Sequence, residues 1–108
     1  MAFSDNSTDE MAAEFLAGEL ERLMSLPLDT LQQARHWDSE CAEVLAALET
    51  RFPCFNLEHH VWHFFADADI RQRDPGCRQQ QHRAIADYIT RLRRPHLVRA
   101  DRDVSRLF

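Results

Sequence analysis

Four prolines, at positions 27, 53, 75 and 95, divide this 108-residue chain into stretches of about twenty residues. Almost nothing inside those stretches breaks a helix. Only two glycines are present, and each stretch repeats apolar residues at intervals of three and four. Ser7 and Glu10 have the form of a capping box, followed by Ala12, Phe15, Leu16, Leu20, Leu23 and Leu26, which predicts a first helix over about 8–25. After Pro27, Asp29 with Gln32 offers a second N-cap, and Leu31, Ala34, Cys41, Leu45, Leu48 and Phe52 form a stripe through about residue 50. Asn56 is placed to cap a third helix, running to about Arg73. Asp74-Pro75 starts a fourth, which carries Cys77, Ala84, Ile85, Tyr88, Ile89 and Leu92 as far as Pro95. Strand patterns are nearly absent. Short connections favour alternating directions, so the expected fold is all-α: one domain over 1–108, an up-down bundle of four main helices. Residues 1–7 are expected to be disordered. Residues 95–108, with Leu97, Val98, Leu107 and Phe108, are expected to form a docked C-terminal arm.

Composition removes several chemistries. With glycine only at 18 and 76, no glycine-rich phosphate cradle can form, so P-loop and Rossmann readings fall away. All 13 basic side chains are arginine, which leaves no Schiff-base or lysine-base mechanism. No stretch approaches the roughly 20 apolar residues that span a bilayer. MAFSDNSTDE lacks the basic and apolar regions of a signal peptide, so a cytoplasmic location is expected. Cys41, Cys54 and Cys77 fit no zinc or redox spacing and are expected to be reduced thiols. Cys54 stands near His59 without a third group to orient a base, and no catalytic residue is assigned. The expectation is a protein that is not an enzyme, with no cofactor and no identifiable small-molecule substrate.

Charge is divided along the chain. Residues 1–70 hold 3 Arg against 14 acids, and residues 71–108 hold 10 Arg against 4 acids. The arginines of RLRRPHLVRADRDVSRLF raise nucleic acid as a partner through counterion release. Asp101 and Asp103 interrupt that run, the whole chain is acidic, and no recognition helix or stacking platform accompanies it. Packing of the basic fourth helix beside the acidic first is the expected use of these charges.

The third helix, LEHHVWHFFADADIRQRD, has two apolar sides. Leu57, Val61, Phe64, Phe65 and Ala68 form one stripe and are expected in the core; His59, Trp62, His63, Ala66 and Ile70 form another, nearly opposite. Polar strips separate them, with His60, Asp67 and Arg71 along one side, and Asp67–Arg71 and Asp69–Arg73 are spaced as i,i+4 surface ion pairs. A helix that is apolar on two sides is either central to its domain or shared with a partner. The second stripe, with Trp62 as anchor, therefore predicts a two-fold homodimer or contact with another protein. The rival is that the C-terminal arm covers it within one chain.

Histidine spacing supplies the alternative. His36 with Glu40, His59 with His63, and His82 with Asp87 fall one pair to a helix, in order, as HxxxE, HxxxH and HxxxxD. These strings resemble the ligand pairs of the hemerythrin family, and the resemblance implies a four-helix bundle holding a diiron centre. Helix geometry opposes that implication. At about 100° per residue, His36 points some 145° from the core side of its helix and Asp87 some 130° from its own. A lesser version of the same reading is a surface site in which His59 and His63 alone chelate Zn²⁺.

Overall fold

The computed structural model describes the backbone of residues 2–93 and the side chains of residues 9–93. The predicted C-terminal arm lies outside the described residues. Five α-helices, and no strands, occupy that span: α1 (Ala2–Ser25), α2 (Leu31–Arg51), α3 (His59–Ala66), α4 (Ala68–Arg73) and α5 (Pro75–Arg93). None of the described helices is long and apolar enough to cross a membrane.

Local chemistry sets the helix ends. α1 begins at Ala2, so Ser7–Glu10 falls inside the helix; no proline or glycine separates Ala2 from Glu10 to stop it earlier. α2 starts one residue later than expected. Thr30 is its N-cap: the Gln33 N–H donates to Thr30 Oγ1 (3.1 Å), while Gln33 Oε1 accepts from the Thr30 N–H (3.2 Å) and the Asp29 N–H (2.7 Å). That reciprocal pair satisfies donors the first turn would otherwise leave open. At α5 the expected arrangement is present, with Pro75 as first helical residue and Asp74 Oδ1 accepting from the Cys77 N–H at 3.1 Å. α3 starts at His59 behind Glu58, which makes no side-chain cap, so Asn56 does not serve as one.

The predicted third helix is two helices. Asp67, at φ −105° and ψ 22°, ends α3 and precedes α4. Its N–H still bonds His63 O (3.0 Å), and its carbonyl accepts from Arg71 (2.9 Å). The break falls between these two bonds, at the Phe64 carbonyl. Sequence periodicity runs straight through this point because the interruption contains neither proline nor glycine.

Packing closes a ring: α1 lies against α2 and, most extensively, against α5, α2 against α4, and α5 against both α3 and α4. Leu16, Leu20, Leu23 and Leu28 fill its centre with Val61, Phe64 and Ile85, each almost wholly withdrawn from water. Each such side chain contributes on the order of 2 kcal/mol of transfer free energy. The core stripe of α3 and α4 is as expected, with Val61, Phe64, Phe65 and Ala68 buried and Leu57 packed at its margin.

On α2 the inward stripe is rotated from the expected one. Ala34, Trp37, Cys41, Val44 and Leu48 are buried at spacings of 3, 4, 3 and 4, whereas Leu31 is 63% exposed. On α5, Ile85, Tyr88 and Ile89 are buried and Ala84 is exposed. The acidic α1 and basic α5 meet through Arg93, which pairs with Glu21 (2.7 Å) and Glu14 (3.5 Å).

Candidate functional site

The outward side of α3 and α4 gathers the five residues that the second stripe predicts. His59, Trp62, His63, Ala66 and Ile70 are all exposed, Trp62 by 49% and Ile70 by 36%. Burial on the opposite side explains this orientation: Val61, Phe64, Phe65 and Ala68 fix how α3 and the start of α4 sit on the core, leaving these five facing away. Among the described residues Trp62 has one aromatic neighbour, Phe65, perpendicular to it at 6.2 Å between ring centroids. His59 and His63 stand one turn apart with rings perpendicular at 4.5 Å, and their Nε2 atoms are 2.9 Å from each other. His60 belongs to a different environment. Its ring lies edge-on to Tyr88 at 5.1 Å, and its Nδ1 is 3.6 Å from Glu58, which also takes Arg91 at 3.3 Å.

Beneath this face is a feature that the sequence pattern hides. Arg71, expected on a polar strip and in an ion pair with Asp67, is 1% exposed and forms no such pair. Neither Asp67–Arg71 nor Asp69–Arg73 is an ion pair among the described residues. For Arg71 the interruption at Asp67 is the reason. It leaves the Phe64 carbonyl without its usual partner in the next turn, and Arg71 Nη1 donates to that carbonyl and to Gln81 Oε1 (2.7 Å). Gln81 in turn donates through Nε2 to Asp67 Oδ2 at 2.9 Å. The cation and the carboxylate are thus joined through an amide instead of in direct contact.

The guanidinium carbon lies 4.2 Å from the centroid of Phe64 and 4.6 Å from that of Trp37, and those two rings meet edge to face at 5.2 Å. Trp37 performs a parallel task, its Nε1–H donating to Leu23 O at 2.9 Å in the last turn of α1. Two helix-end carbonyls thus accept from two buried side chains, Leu23 O taking the Leu26 N–H (3.2 Å) as well. Arg71 Nε and Nη2 have no hydrogen-bond partner.

Electrostatics follow from this burial. Desolvation pulls the Arg71 pKa down to about 10, with Asp67 the foremost group opposing the fall. Burial also pushes the Cys41 thiol up to about 12, with Asp38 adding to the effect, so Cys41 is a protonated filler of the core. His82, half-buried with its ring 6.2 Å from Phe64, is held below the ordinary histidine value by burial first and then by Arg71 and Arg78. A column of Trp37, Arg71 and Phe64 ties α2, α3 and α4 together, and Gln81 extends it to α5.

No family model matches the chain, and no curated protein or solved structure is similar to it.

The three histidine pairs do not converge. Among the described residues no group of three or more His, Cys, Asp or Glu side chains is placed to hold a metal ion. His36 faces solvent, Glu40 is taken by Arg22, Asp87 is exposed, and His82 lies against Phe64. The ligand pairs of the hemerythrin-like arrangement are not brought together, because His36 and Asp87 project outward while Trp37, Ile85 and Tyr88 are buried in the interior. Only His59 and His63 are brought together. Cys54 is exposed, Cys77 half-buried and Cys41 buried, and all three are free thiols.

Sequence reasoning missed Arg71, Trp37 and Gln81. For Trp37 a signal existed: Ala34, Trp37, Cys41, Val44 and Leu48 keep the 3-4-3-4 alternation better than the stripe drawn through Leu31 and Leu45. For Arg71 no simple signal existed, since arginine is among the residues least often fully buried.

Proposed function

We propose that this chain is a small cytoplasmic binding or regulatory module without catalysis of its own, and that it self-associates through the outward side of α3 and α4. The single observation carrying this reading is the exposure of Trp62 beside His59, His63, Ala66 and Ile70, opposite a side of the same helices that is buried. A half-exposed tryptophan flanked by small, aliphatic and imidazole groups has the make-up of an interface centre, tolerable in water yet apolar enough to be covered. A second copy is the favoured partner because an isologous contact sets this stripe against itself without requiring a complementary surface elsewhere. In support of an up-down four-helix bundle beneath it, α1, α2, α4 and α5 pack in a closed ring, with α3 standing between α2 and α4 in the chain and packed against α5. Use of the α5 arginines against α1 acids, as at Arg93, reduces what is left for nucleic acid.

Light scattering on the full chain at micromolar concentration tests the reading. The expected mass is twice the 12.7 kDa of one chain, returning to the single-chain value in Trp62→Arg. A wild-type mass of one chain, unchanged by that substitution, refutes self-association through this face.

A further inference from the structure

We propose that His59 and His63 from two copies of the chain together form a four-histidine site for a zinc-class divalent ion, which bridges the dimer. This rests on the self-association reading and adds a ligand to it.

The geometry of one pair comes first. The two Nε2 atoms, at the tips of the rings, converge to 2.9 Å while the rings stand perpendicular. A tetrahedral ion with metal–nitrogen bonds of about 2.0–2.1 Å separates two nitrogen ligands by about 3.3 Å. The pair therefore has to part by only a few tenths of an ångström to admit the ion, within the freedom of exposed side chains. The positions i and i+4 on α3 maintain this bite without help from other residues.

Chemistry selects the ion. Two imidazoles, with neither ring in an ion pair among the described residues, suit zinc or similar borderline metals and offer little to magnesium or calcium, which demand oxygen ligands. Glu58, the acid next in sequence, is already engaged by Arg91 and His60.

Incompleteness then calls for the second copy. No third His, Cys, Asp or Glu side chain joins the pair among the described residues, so one chain supplies two ligands where a closed tetrahedral site needs four. A two-fold axis passing through the ion presents the same two nitrogens from the opposite direction. Trp62 lies between the two ligands in sequence on the same outward side. The axis that completes the metal site also brings the two indoles toward one interface, where they exclude water from the ion.

The test uses untagged full-length protein freed of metal by a chelator, then titrated with Zn²⁺ or with Mg²⁺ and followed by light scattering and native mass spectrometry. The expected result is one Zn²⁺ per two chains and a dimer dissociation constant lowered at least tenfold. Mg²⁺ should have no effect, and His59→Ala or His63→Ala should lose the zinc response while keeping wild-type helicity. A dimer whose dissociation constant ignores Zn²⁺ overturns the bridge and leaves the self-association reading standing. One Zn²⁺ per chain on a monomer also overturns it. A chain that stays monomeric with and without Zn²⁺ sinks both.

Discussion

Replacing Arg71 separates what its charge contributes from what its shape contributes. Burial holds its pKa down to about 10 from an ordinary 12.5, a displacement equivalent to about 3 kcal/mol against the charged form. Against that stand two hydrogen bonds from a charged donor, to Phe64 O and Gln81 Oε1, worth about 1.5–3 kcal/mol each. Contact with the faces of Trp37 and Phe64 adds about 2 kcal/mol for a desolvated cation. Nε and Nη2, buried without partners, add about 1–3 kcal/mol each to the cost, so the two sides come close to balance. Arg71→Met keeps the stem against the rings and escapes both the charge penalty and the two unpaired N–H groups, but leaves a buried carbonyl unpaired, so the expected net loss is about 1–3 kcal/mol. Arg71→Lys is expected to be worse, at about 4 kcal/mol or more, because the compact ammonium is more strongly hydrated, lacks the planar fork, and does not reach both acceptors. Urea denaturation followed by far-ultraviolet circular dichroism gives both values, provided the slope with denaturant is unchanged. Lysine within about 0.5 kcal/mol of wild type, well inside the usual spread of surface substitutions, would refute the reasoning and show that charge alone is what the position requires.

Three further outcomes follow from the same contacts. Trp37→Phe removes the indole donor to Leu23 O, which keeps the Leu26 N–H, together with part of a fully buried ring, and should lower stability by about 1–3 kcal/mol in the same urea experiment. Thr30→Ala breaks the capping box at α2 and should cost about 1 kcal/mol, read as a fall of several degrees in melting temperature. His82 predicts an acid dependence. Its folded pKa lies below the free-histidine 6.5, so the unfolded chain takes up a proton first; stability is full above pH 6.5 and declines as pH falls from there through the folded value. A pH series of urea midpoints should show that decline flattened in His82→Gln, and an identical slope in the variant would assign the acid sensitivity to other groups.

Legibility differed from one element to another for physical reasons. The ends of α2 and α5 could be read closely because proline and capping side chains act within three or four residues of themselves, as Thr30 with Gln33 and Asp74 with Cys77 do. The two-sided character of α3 could be read because burial of Val61, Phe64 and Phe65 leaves Trp62 and His63 outward on any helix. The interruption at Asp67 could not. Its cause is tertiary: a carbonyl left open at Phe64 is stable only if a donor arrives from elsewhere, and that donor, Arg71, belongs to a residue type that pattern reading assigns to solvent. One unseen break thus carried two errors, the continuous helix and the surface ion pair.

The two tryptophans show how partner choice separates an interior residue from an interface one. Trp37 is 1% exposed, gives its indole N–H to Leu23 O, and has Arg71 over its ring and Phe64 perpendicular to it. Every demand of that side chain is met within the chain. Trp62 is of the same size and only a few residues from the same core, yet half of it remains in water, and among the described residues its indole N–H has no hydrogen-bond partner inside the protein. Rotation of α3 cannot bring it inward, because Val61, Phe64 and Phe65 already occupy the buried side and Arg71 fixes the end of the helix through the Phe64 carbonyl. The polar column that stabilises the interior therefore also keeps Trp62 and the two Nε2 atoms of His59 and His63 facing away from the fold. Loosening the column should disturb the outer face without any change to an outer residue. On this reasoning Arg71→Met, though buried, should weaken dimer formation along with stability, whereas Thr30→Ala, at the start of α2 and outside the column, should reduce stability and leave the dimer dissociation constant of the folded protein as it was.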